Sequence, residues 1–185
     1  NKPPPGVPEA TSHHPPPPMR LDSPDSQPIR HRTMSQTTTA TGTPYGTAST
    51  LHCQIATNST GAVVGSDSTT AVQSGDVVRM GIIPAGMRLD DAKAIVSTGW
   101  TATMTAKLGF AYVDGVDSTA VPQDDDYFGA AIAIATAGRY AASNTAVRPV
   151  VLPKDAYLIL TAGVTNNAKA SQTDVLVNVT NVGVA

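Results

Sequence analysis

Few side chains in this sequence could carry chemistry, and their spacing limits what each group can do. His52 and Cys53 are the pair that a thiol nucleophile and its base would need. Adjacent residues on a strand point to opposite faces, so the pair cannot form a dyad within one chain, and the expectation is a small buried thiol beside an outward imidazole. Asp114, Asp117, Asp124, Asp125 and Asp126 form an oxygen-rich stretch of the type that can hold calcium. It has neither the spaced acids nor the closing glutamate of an EF-hand loop, which leaves a solvated polar loop as the expectation and a divalent ion as the alternative. His13 and His14 are adjacent in a proline-rich stretch, without the i, i+4 spacing of a helical chelate.

Other catalytic signatures are missing. There is no Gly-x-Ser-x-Gly elbow, phosphate loop or His-Glu-x-x-His, and the one glutamate, Glu9, sits among prolines. A single cysteine closes no intrachain disulfide and builds no thiolate metal site. The sequons at Asn58 and Asn178 matter only in a secreted eukaryotic setting, which nothing in the sequence indicates. The reading is therefore of a protein that is not an enzyme, with no catalytic residue, cofactor or metal assigned.

The elements that would position these groups follow from composition. The chain has 185 residues, enough for one ordinary domain. Val, Ile and Thr contribute 51 of them, which favours strands over helices. Charged residues make up 14%, against roughly 25% in a typical soluble domain. A surface so poor in charge suits a subunit of an assembly. The net charge of -2 offers no cationic excess for a nucleic-acid backbone, and no apolar run approaches the roughly 18 to 20 residues of a membrane helix.

Residues 1 to 33 contain ten prolines and no apolar h-region. They bury too little to fold alone and read as an extended arm in polyproline II or coil, with a translated leader or tag as the alternative. Its cations, Lys2, Arg20, Arg30 and Arg32, are the candidate partner-binding residues. Residues 34 to 50 read as a Thr/Gly-rich linker, and residues 51 to 185 as the folded domain.

Within that domain, period-two alternation marks the strands. Leu51, Cys53 and Ile55 share one face of a first strand, and residues 76 to 83 form a second. Residues 87 to 97 are ambiguous, because Leu89, Ala92 and Val96 fit helical spacing; strand is the preferred reading. The clearest alternation runs through Trp100, Ala102, Met104, Ala106, Leu108, Phe110 and Tyr112, predicting one long half-buried strand over residues 100 to 113. Residues 117 to 126 read as a polar loop and residues 127 to 142 as an Ile/Ala strand. Pro149 points to an edge strand over residues 147 to 152, and residues 156 to 162 and 173 to 182 complete the set. Seven or eight short antiparallel strands describe an all-β, antiparallel β-sandwich, with a jelly roll as the preferred version.

Four runs carry a resemblance. They are Gly75-Asp76-Val77-Val78-Arg79-Met80-Gly81-Ile82-Ile83-Pro84-Ala85-Gly86, Leu108-Gly109-Phe110-Ala111-Tyr112-Val113-Asp114-Gly115, Asp124-Asp125-Asp126-Tyr127-Phe128-Gly129 and Pro153-Lys154-Asp155-Ala156-Tyr157-Leu158-Ile159-Leu160-Thr161. Their layout, over residues 75 to 182, resembles the small capsid decoration (cement) proteins of tailed bacteriophages, nearest to the Bordetella podovirus cement type. The resemblance implies a jelly-roll subunit on the outer surface of an icosahedral virion, clamping neighbouring major capsid subunits. It supplies no catalytic residues and does not reach the arm. The partners it points to are the major capsid protein and other copies of the chain itself, as a homodimer in preference to a trimer. The competing reading is a receptor- or carbohydrate-binding sandwich of a fibre or adhesin. That would need an exposed aromatic platform, for which Tyr45, Tyr127 and Tyr140 are the available residues.

Without a structural metal or disulfide, the folded body should unfold at the same midpoint with and without EDTA and dithiothreitol. A large downward shift on chelation in a thermal melt would instead assign an ion to the aspartate stretch.

Overall fold

In a computed structural model of the protein, the residues described are 33 to 35, as backbone, and 48 to 183. The strands are β1 (Thr33–Ser35), β2 (Ala48–Thr57), β3 (Val77–Ile83), β4 (Met87–Thr98), β5 (Thr105–Tyr112), β6 (Asp124–Ile132), β7 (Gly138–Ala141), β8 (Val150–Val151), β9 (Ala156–Gly163) and β10 (Ser171–Asn181), with no helix among the described residues. One sheet has the order β1-β3-β9-β5-β6, and the other β2-β10-β4-β7 with β8 also on β4.

Folding the strand series back on itself explains this order. β2 pairs with β10, β3 with β9, β4 with β7 and β5 with β6, all antiparallel. Those nested pairs are one long hairpin rolled into two layers, with β10 also joining β4 and β9 also joining β5. This is a jelly roll, as expected. β1 departs from the antiparallel pattern, lying parallel to β3 with Thr33 opposite Val77.

The core lies between the two sheets. β10 directs Thr173, Val175, Val177 and Val179 inward, and β2 contributes Cys53 and Ile55. Across the gap stand Val78 and Met80 of β3, Leu108, Phe110 and Tyr112 of β5, and Leu158 and Leu160 of β9. Phe110 meets Tyr112 and Tyr127 edge to face, with ring centroids 5.8 and 5.4 Å apart, and Tyr127 meets Phe128 at 4.8 Å.

A bulge explains the helix-like spacing around Leu89. The β4–β10 register slips between Asn178 and Val179, so Asp90 is an extra residue and the inward phase moves from Leu89 to Ala92. Asp90 is fixed there by Arg88, whose Nε donates to it at 2.6 Å, and by the Thr180 hydroxyl. One inserted residue gives a strand the i, i+3 interval of a helix.

Two strand readings are corrected. The strand expected from Trp100 begins only at Thr105. Trp100 and Met104 are both fully buried, yet a turn lies between them in which Ala102 is exposed and Thr103 has φ 68°. The Trp100 amide bonds to Ile134 O, and its indole N–H donates to Thr173 Oγ1 at 2.8 Å, so the ring stays in the core without a strand to carry it. Similarly, residues 127 to 142 are not one strand: β6 ends at Ile132, the Thr136 amide bonds to Ala133 O in a turn, and β7 lies in the opposite sheet.

Phe110 is 1% exposed at the centre of the aromatic group. Phe110→Ala should therefore destabilise the protein by about 3 to 5 kcal/mol in denaturant unfolding, whereas a cost below about 1 kcal/mol would contradict its place in the core.

Candidate functional site

The start of β6 holds the densest group of ionisable side chains among the described residues. One carboxylate oxygen from each of Asp124, Asp125 and Asp126 lies within 4.8 Å of the others. They converge because β6 crosses β5 with a large register shift, Leu108 opposite Gly129 but Phe110 opposite Asp124. That crossing needs Gly109, where an added Cβ would stand 2.0 Å from the Asp124 carbonyl oxygen. Lys107 reaches over from β5 and bonds both Asp125 oxygens, at 3.0 and 3.2 Å. The Asp126 amide donates to Asp124 Oδ1 at 3.0 Å.

The charges follow from these contacts. The side-chain hydrogen bond with Asp124, then desolvation, raises Asp126 above the ordinary carboxylate value, while the hydrogen bond to Asp125 raises Lys107. The rest of the expected acidic loop does other work. Asp114 pairs with Lys154 at 2.8 Å, and Asp117 accepts from the Ser118 and Gln123 amides. The polar loop over residues 117 to 126 is thus corrected: its last three aspartates belong to a strand and are separated in role from Asp114 and Asp117. Three half-exposed carboxylates could offer oxygen ligands to a hard cation, and Lys107 already neutralises one of them.

Beside this group, Phe110, Val121, Pro122, Tyr127, Val147 and Arg148 help line a cleft of ≈ 320 Å³, with Asp124 also in its wall. Its walls suit an apolar side chain. The Tyr127 hydroxyl is engaged with Arg148 O at 2.7 Å. Of the three tyrosines, Tyr127 is buried, Tyr140 is half-buried with its hydroxyl on Thr136 O, and Tyr45 lies outside the described residues.

His52 and Cys53 fall on opposite faces, as the strand period requires. Cys53 is 3% exposed and burial raises its thiol to about 11, which removes it as a thiolate nucleophile at neutral pH. His52 points outward and meets Asp174 at 2.8 Å. Lys2, Arg20, Arg30 and Arg32, together with His13 and His14, lie outside the described residues.

Sequence reasoning missed two features. Asn167, between the strands read over residues 156 to 162 and 173 to 182, is 1% exposed and bonds Thr57 Oγ1 and Lys169 O through its amide nitrogen while accepting from Thr101. Lys154 sits 4.7 Å above the Tyr112 ring and also donates to Val116 O, locking one end of the sandwich. Neither has a local signal, because the partners are distant in sequence.

In a carboxyl NMR titration, Asp126 should take up its proton above the ordinary range and Asp90 below it, since the Arg88 hydrogen bond lowers Asp90. The raised Asp126 contributes stability that is fully present below the unfolded value and is lost as pH rises through the folded value; the lowered Asp90 contributes stability that is present above the unfolded value and is lost as pH falls through its folded value. Asp124→Asn should bring Asp126 back towards the usual value. An unmoved Asp126 titration would contradict the assigned cause.

No family model matches the chain, and no curated protein matches it either. Among solved structures it is similar in fold to a chain of the capsid of Ralstonia phage GP4, with 12% identity and a TM-score of 0.53 over 78% of this chain and 91% of that one. A chain of the cyanophage Pam1 capsid asymmetric unit aligns at 12% identity and TM-score 0.49, over 85% of this chain and 99% of its own. A chain of the acidic stable capsid structure of Helicobacter pylori bacteriophage KHP30 aligns at 11% and 0.43, over 74% and 90%. At such identities the likeness to the Ralstonia phage chain is one of fold, spanning most of both molecules.

Proposed function

We propose that this protein is a structural component of a phage virion, which binds the outside of an assembled icosahedral capsid and stabilises it by bridging neighbouring major capsid subunits. The observation that carries the reading is the jelly-roll likeness to a chain of a phage capsid, at TM-score 0.53 over most of both chains. One fold serves many roles, so the function rests on the surface as well. The surface supports the reading in two respects. Only 14% of the residues are charged, and apolar side chains are exposed at both ends of the sandwich. Val64 (53% exposed) and Val164 (70%) lie near the Asn167 end, and Val116 (61%) lies near Lys154. A bridging molecule needs two such surfaces.

The energetic logic is linkage. A protein that binds the assembled lattice and not free subunits stabilises the lattice by RT ln(1 + [L]/Kd). Residues 1 to 33, as a proline-rich arm bearing Lys2, Arg20, Arg30 and Arg32, would add contacts to an acidic shell surface at reduced entropic cost.

Co-sedimentation with purified shells of the encoding phage tests this reading. Retention at fixed stoichiometry and a raised shell disruption temperature are expected. Deleting residues 1 to 33 should weaken retention most at low salt, with the difference shrinking as salt screens the cations. No retention on shells, with binding in a glycan array instead, would replace this reading by the receptor-binding one.

A further inference from the structure

A β-sandwich of two open sheets has four edges, and exposed edges invite strand pairing. Three are guarded here. β1 has three residues. β6 is bulged against β5 and begins with three aspartates. β7 has four residues including Arg139, and β8 beside it has two and follows Pro149. The fourth edge, β2, has ten residues, Ala48 to Thr57, with no proline, lysine, arginine or acid.

The direction of its backbone groups is fixed by two bonds. The Val64 amide donates to Ala56 O at 2.8 Å and the Asn58 amide to Ala62 O at 2.9 Å, so these residues face away from β10. The β2–β10 register has no shift, and by the two-residue period Ala48, Thr50, His52 and Gln54 present their N–H and C=O groups outward as well. All four are exposed, and among the described residues no backbone group pairs with them on that side.

We propose that β2 pairs antiparallel with β2 of a second copy, across a two-fold axis at Leu51, merging the two β2-edged sheets into one. In that register Ala48 lies opposite Gln54 of the second copy and Thr50 opposite His52, each pair exchanging two hydrogen bonds, which makes about eight in all. The outward groups are symmetric about Leu51, so the strand satisfies itself. An axis at His52 would call on Ala56, whose carbonyl is already taken by Val64, and would set two imidazoles side by side. Because the strand carries no formal charge apart from a protonatable histidine, self-pairing opposes no like charges, and the half-buried Leu51 gains its own symmetry mate as a neighbour. The pairing is independent of the virion reading, and shell binding does not bear on it.

The test uses the full chain. Sedimentation velocity at tens of micromolar should give twice the 19.0 kDa chain mass. Leu51→Cys should cross-link to a dimer under mild oxidation, since a non-hydrogen-bonded antiparallel pair brings Cα atoms to about 4.5 Å, within disulfide range. Thr50→Pro removes an outward donor, and the double variant Thr50→Lys, His52→Lys places lysines opposite one another. Both should lose the dimer and the Leu51→Cys cross-link while keeping a near-native unfolding midpoint. A monomeric wild-type chain would overturn the proposal, as would a dimer that survives both variants and leaves Leu51→Cys uncross-linked.

Discussion

Everything in this protein depends on keeping one apolar seam between two sheets continuous while the chain crosses it repeatedly. The nested pairing of β2 with β10, β3 with β9, β4 with β7 and β5 with β6 sends nearly every connection from one layer to the other. Each strand must therefore present its apolar face to the same gap in alternate directions. A slip of one residue would turn a strand's apolar set to solvent.

The seam is held in phase by a few irregularities. Asp90 is the extra residue of β4, and the hydrogen bonds from Arg88 and Thr180 hold it outward while Leu89 and Ala92 both stay inside. Trp100 fills the core from a turn, and its indole N–H would be an unpaired buried donor without Thr173. Asn167 joins Thr57, Thr101 and Lys169, drawing together at one end three segments that are far apart in sequence. Apolar contacts carry little directional information, and these hydrogen bonds add what shape alone leaves open.

The same architecture decides which surfaces can meet a partner. Closing the roll covers Trp100, Phe110, Tyr112, Tyr127 and Phe128, and leaves valines exposed at the ends of the sandwich. Among the described residues it also leaves one long neutral edge, β2, beside edges that are short, bulged or charged. The acids at the start of β6 are partly neutralised by Lys107, so they describe a braced strand crossing as much as an interaction site.

The amino-acid sequence by itself determined the all-β class, the sandwich, most strand positions and the opposite orientation of His52 and Cys53. All of these rest on propensity and a period of two, which are local properties. It also marked Trp100, Met104, Leu108, Phe110 and Tyr112 as core, although burial at Trp100 and Met104 did not require a strand. Tertiary structure alone decided where the alternation breaks, because a bulge at Asp90 or a turn at Thr103 is stabilised by partners on β10 or after β6. It alone set Asp124, Asp125 and Asp126 against Lys107 and divided them from Asp114, since that depends on how β6 crosses Gly109. Which strand would stand at the edge of its sheet among the described residues was likewise invisible to the sequence, for a strand becomes an edge through the pairing order of the whole sheet and not through its own residues.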